Sequence, residues 1–263
     1  MVVTPDIRWL LDARPSRDLV AAIARVALAQ RDPRVACPTY LRALGTALDD
    51  EPPPFATQAY ADAYRMASSD GQWLAISLMT NAEREGDGAK RLWSLAACAQ
   101  SDEERQLLKG HAIDESRHAQ SYLALLDLTF PGAVTPAFRG QLAQRSPGYA
   151  RSQQPVAVDG SPYAHAPSID DYVQMNIAEI RTTIHHIMQR SAISAHCPPD
   201  NLARIIRMQS SLLHDELRHV SYTALLIDRK AGHTAEFATL FRKRMRDFNQ
   251  ITNDELRQAR FDG

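Results

Sequence analysis

Two short runs about a hundred residues apart, DESRH at 114–118 and DELRH at 215–219, each set a glutamate three residues before a histidine in the middle of a long run of helix formers. On a helix, positions i−4, i and i+3 fall within about one sixth of the circumference, so His111, Glu115 and His118 share one stripe, as do Glu216 and His219. The first stripe continues through Leu108, Tyr122 and Leu126, the second through Ile205, Leu212 and Leu226. Both carboxylates therefore point into an apolar core. A chain tolerates that only where a cation or a hydrogen-bond partner compensates each charge, so the fold has to bring compensating groups to these two places.

The rest of the chain supplies helices to do so. Gly is scarce (11 residues), strand-like alternation is rare, and several segments near thirty residues read as uninterrupted helix. Segments 17–30 and 38–49 read as shorter N-terminal helices, followed by the stiff turn DDEPPP. A long helix begins near SSDGQ, where Ser69 and Gln72 have capping-box spacing, and runs to about Gln100; SDEE at 101–104 starts the next, which ends before Phe130-Pro131-Gly132. Residues 131–167 hold six of the 15 prolines and read as a long crossover. Two further helices are predicted from about Asp170 to Ala195 and from about Asn201 to Ala231, and a charged final helix over 234–258 reads as a solvated or subunit-facing cover. Two helical hairpins joined by a crossover make an all-α, ferritin-like four-helix bundle with additional N- and C-terminal helices, a single domain over 1–263 with core helices at about 70–129 and 168–231.

Each of the other two long helices offers one inward acid. Glu179 is the only acid on its helix after Asp171, with Met175, Asn176, Thr182 and Thr183 around it. In NAEREGDG, helical steps from Glu85 meet Leu74, Leu78, Ala82, Ala89 and Leu92, whereas steps from Glu83 meet Asp87 and Lys90. Glu85 therefore faces the core. Four glutamates and two Glu-x-x-His pairs form the donor pattern of a carboxylate-bridged di-iron or di-manganese site, in which four carboxylates neutralise two divalent ions. His111 has two readings, a seventh ligand or a packed core histidine. Asp114 and Asp215 would accept the outer N–H of ligand histidines, with Arg117 and Arg218 pairing to those aspartates. His185, His186 and Thr182 are pocket candidates; His186 lies two turns, about 10 Å, along the helix from Glu179.

Composition excludes several alternatives. A net charge of −1 from 30 basic and 31 acidic residues gives no reason to expect nucleic acid or an anionic membrane as partner. Cys37, Cys98 and Cys197 are scattered without CxxC spacing, which suits a reduced, cytoplasmic setting and no thiolate zinc site.

DESRH and DELRH resemble the paired Asp-Glu-x-Arg-His motifs of the ferritin-like non-haem di-iron oxygenase superfamily, which includes the bacterial multicomponent methane and toluene monooxygenases. EGDGAKRLWS is similar to the first ligand helix of those enzymes, with Glu85 at the ligand position. The short single chain and the additional histidine are closer to stand-alone N-oxygenases similar to 4-aminobenzoate N-oxygenase. Those enzymes carry a His-x-x-x-Glu-x-x-His run on their fourth helix. Here the run is on the second, at His111, and position 212 is Leu. The resemblance implies two iron ions (or one replaced by manganese), O₂ as co-substrate, a small-molecule substrate, an external electron donor such as a ferredoxin or reductase, and a monomer or homodimer. N-oxygenation of an amine is the first expectation and C–H hydroxylation or desaturation the second. Iron storage with peroxide scavenging, or a radical-generating subunit, stays open as a different class.

Overall fold

The computed structural model describes residues 7–32, 34–132, 136–137, 160–232 and 235–261, and every described element is helical. The helices are α1 (Ile7–Asp12), α2 (Arg17–Arg31), α3 (Pro38–Asp50), α4 (Gln58–Ser68), α5 (Gly71–Cys98), α6 (Asp102–Thr129), α7 (Ile169–His196), α8 (Leu202–Lys230) and α9 (Ala235–Phe261). The all-α reading holds. The crossover expected over 131–167 lies largely outside the described residues.

Local chemistry sets most helix starts. Ser101 accepts the N–H of Glu104 at 3.1 Å, the start signal expected from SDEE. The start of α5 differs from expectation. Asp70, not Ser69, is its N-cap, accepting the N–H groups of Gln72 at 2.8 Å and Trp73 at 3.4 Å. The Ser69 hydroxyl is committed to the preceding helix, donating to the Met66 carbonyl at 2.7 Å, which leaves the stronger carboxylate acceptor to cap the next. The helix α4 is a further addition. Thr57 caps it through the Tyr60 N–H at 3.2 Å, directly after the DDEPPP turn, whose prolines end one helix without preventing another from starting.

The chain packs as two compact units, one of residues 1–69, 168–191 and 213–263, the other of residues 70–167 and 192–212. In the second, α5 and α6 lie against each other along their length. Leu74, Leu78, Ala82, Tyr122, Leu126, Ile193, Ile205 and Leu212 form a buried cluster there. Burial of this kind contributes roughly 1.5–3 kcal/mol per large apolar side chain, far more than intrinsic helix propensity.

In the first unit, α9 packs on α3 and α4. It is more than a solvated cover, because Phe237, Phe241 and Met245 are buried and Phe241 meets Tyr40 with ring centres 6.1 Å apart. The charges that suggested a cover tie α9 to other elements of the same unit. Arg244 clamps Asp170 through two nitrogens, Arg246 pairs with Glu51, and Arg181 with Glu255. Tyr40 also joins α3 to α7 by donating its hydroxyl to Asn176 Oδ1 at 2.8 Å.

Candidate metal centre

On α6 the expected stripe is buried: His111 is 2 %, Glu115 7 % and His118 0 % exposed. His111 Nε2 lies 3.1 Å from Glu115 Oε1, one turn away on the same helix. His118 Nδ1 lies 3.7 Å from that same oxygen and 3.9 Å from Glu85 Oε2, which reaches it from α5. Glu85, Glu115 and His118 each offer a ligand atom within 4.8 Å of the others, so a single ion could be held by all three. Glu83, two residues from Glu85, is half-buried. Gly88 lies against the acid of α6, where a β-carbon would stand 3.4 Å from Glu115 Oε2, at van der Waals contact.

The pair on α8 is buried as deeply, with Glu216 at 0 % and His219 at 2 % exposure. His219 Nδ1 lies 3.3 Å from Glu216 Oε2 and 3.7 Å from Glu179 Oε2 on α7. The other oxygen of Glu216, Oε1, is 3.3 Å from His186 Nε2, also on α7. Buried hydroxyls hold the local backbone. Thr183 donates to the Glu179 carbonyl and Thr223 to that of His219, each at 2.7 Å. Asn176 spans the two helices by donating to Val220 O at 3.1 Å and to Thr223 Oγ1 at 2.9 Å.

Around these groups, Arg117 donates to Asp114 at 2.8 Å and Arg218 pairs with Asp215, each within one helical turn. His185 and His186 go different ways. His185 Nε2 lies 2.7 Å from the Tyr60 hydroxyl, and its ring stacks with those of Tyr60 and Tyr64 of α4, with centres 5.7 and 6.2 Å away. Thr182 is half-buried. Sequence reasoning missed the two tyrosines. Their i, i+4 spacing in QAYADAYRMAS was a helix signal, but nothing in it named His185 as the partner. It also measured His186 only against Glu179 on its own helix, a distance that says nothing about Glu216 on the next.

Two glutamate carboxylates with imidazole nitrogens make a hard, borderline donor set that suits iron, manganese or zinc. Each pair of carboxylates offsets the charge of one divalent ion, which makes a metal the natural compensation for acids this deep. Thiolate chemistry is disfavoured: Cys37, Cys98 and Cys197 are free, and burial pushes the Cys37 thiol up to about 11. No described helix is long and apolar enough to cross a membrane. No family model, curated protein or solved structure matches the chain.

Proposed function

We propose that the chain is an O₂-activating non-haem di-iron oxygenase acting on a small organic substrate. The observation that carries this reading is the repetition of one buried motif on two helix pairs. Glu85, Glu115 and His118 meet on α5 and α6, while on α8 His219 lies near Glu216 of its own helix and Glu179 of α7. Each set would hold one ion, so that the chain would carry two. Iron bound there supplies O₂ activation, which amino-acid side chains cannot perform.

The protein's contribution is to hold and neutralise. Four carboxylates balance two divalent ions, and His118 and His219 supply nitrogen donors from positions that are nearly closed to water. Arg117 and Arg218 pair with Asp114 and Asp215, which in this reading would accept the outer N–H of the ligand imidazoles. His111, next to Glu115, enriches the nitrogen set. That enrichment favours oxygen transfer to an amine nitrogen as the specific reaction, in which an external two-electron donor reduces the second oxygen atom of O₂ to water.

Anaerobic loading of the metal-free protein with ferrous ion tests the centre, and two iron atoms per chain by elemental analysis is the expected result. One iron per chain, or retention of zinc alone, overturns it. The loaded protein given O₂, a reductant and an aniline should then yield a hydroxylamine, nitroso or nitro product by mass spectrometry. Two iron atoms with a cage-sized assembly on size exclusion, or a stable tyrosyl radical signal, would place the centre in storage or radical chemistry instead.

A further inference from the structure

We infer that Gln209 selects the ligand of this protein, and that the ligand is a small apolar molecule carrying a carboxamide or lactam; calling it a substrate rests on the oxygenase reading above. Gln209 lies on α8 within the unit of residues 70–167 and 192–212. It is 4 % exposed, and both its Nε2 and its Oε1 are shut off from solvent with no hydrogen-bond partner among the described residues. An amide kept dry with neither donor nor acceptor met is a standing cost, which a leucine of similar size would remove. Buried polar groups are otherwise almost always satisfied, so a group that meets this one is the missing term.

Helical phase fixes what surrounds it. Ile205 stands four residues before Gln209 and Leu212 three after, on the same face of α8. Both belong to the buried apolar cluster that α5 and α6 complete with Leu78, Ala82, Tyr122 and Leu126. That cluster adjoins the metal set of the same unit, because Ala82 is one turn before Glu85 and Tyr122 one turn after His118. A ligand bonded to Gln209 would therefore have its apolar body among side chains next to the proposed oxygen chemistry. Met79 and Met208 pack half-buried against the cluster, and unbranched side chains of this kind re-pack readily around a guest.

The amide itself chooses the polar end. It presents an N–H donor and a carbonyl acceptor side by side, and its complement is a second amide that donates to Oε1 while accepting from Nε2. A carboxylate can only accept. Its charge would also enter a cluster that holds no cation. A hydrocarbon would leave both groups of Gln209 unmet.

The probes are 4-fluorobenzamide, 4-fluorobenzoate and 4-fluorotoluene, followed by fluorine NMR line broadening on the full chain, metal-free and with zinc bound. Wild type should bind the benzamide at least roughly 10-fold more tightly than either of the others. Gln209→Met keeps the length of the side chain and removes both polar atoms, so it should lose that preference and gain resistance to urea. Equal binding of the three probes by wild type overturns the inference, as does an unchanged preference in Gln209→Met or no broadening of millimolar 4-fluorobenzamide. Lower urea stability in Gln209→Met would show that buried water already satisfies the amide, and it overturns the inference too. Should the variant fail to fold by circular dichroism, the order of the three probes on wild type decides. Two bound irons without an amide preference would bring down this inference alone; an amide preference without bound iron would bring down the oxygenase reading and leave the ligand class standing.

Discussion

The α5–α6 and α7–α8 sites present the same kinds of atom but collect them by different routes. In the first, three of the four groups sit on one helix, His111, Glu115 and His118 within two turns of α6, and only Glu85 comes from a neighbour. In the second, the groups divide evenly, Glu216 and His219 on α8, Glu179 and His186 on α7. A site built mostly on one helix is held by helix geometry alone. A site split between two helices depends on how those helices pack, and it is here that Thr183, Thr223 and Asn176 fix the backbone with buried hydrogen bonds.

The largest expected effect comes from removing the acid at the centre of each set. Glu115→Gln and Glu216→Gln should each lose one of the two ions, with affinity for that ion falling about 100-fold, or about 2.7 kcal/mol, in an anaerobic ferrous titration. Loss of both ions from either variant would break the comparison, because it would mean that the two sites do not fill separately. The metal-free forms should show the opposite trend and melt slightly higher, since a buried carboxylate without its cation costs stability.

A second contrast lies in how the two units treat a buried amide. Asn176 is fully engaged, donating to Val220 and Thr223 and accepting from Tyr40. Gln209 on α8 is 4 % exposed, yet neither its amide nitrogen nor its oxygen has a hydrogen-bond partner among the described residues. Replacing Asn176 by Leu strands those partners and should cost about 2 kcal/mol, whereas Gln209→Leu removes an unmet desolvation cost and should gain about 1 kcal/mol. Urea denaturation of the metal-free protein measures both. A loss of stability in Gln209→Leu would show that its amide is satisfied.

The smallest effect concerns the join between α7 and α9. The hydrogen bonds from Arg244 hold the Asp170 carboxyl below the usual value of 3.8, against the smaller opposing effect of burial. A carboxyl lowered in the folded state stabilises the protein above its unfolded value and loses that contribution as pH falls through its folded value. Asp170→Asn should therefore cost about 0.5–1 kcal/mol near neutral pH, discounted for partial exposure. The gap to wild type should close as pH drops below about 3.8. A gap that persists at that acidity would mean the pair contributes through packing instead of charge.

What could be read from the chain follows helical phase. The 100° step places Glu85 rather than Glu83 on the apolar stripe, and Glu85 is the acid found beside His118. Spacing alone also puts His111, Glu115 and His118 together, because side chains three and four residues apart on a helix must be neighbours. The Ser-x-x-Glu start signal gave the cap at Ser101. It failed at Ser69 and Asp70, where two acceptors compete within one residue and the preceding helix claims one of them.

The amino-acid sequence by itself determined that the protein is helical, and which acids and histidines each long helix turns inward, because both are properties of one helix and its own periodicity. Only the tertiary structure decided that His186 meets Glu216, that His185 stacks with Tyr60 and Tyr64, and that α9 is packed through Phe241. Those contacts join residues far apart in the chain, and the rotation and depth at which one helix packs on another are set by the fit of all the side chains between them, which no single spacing encodes.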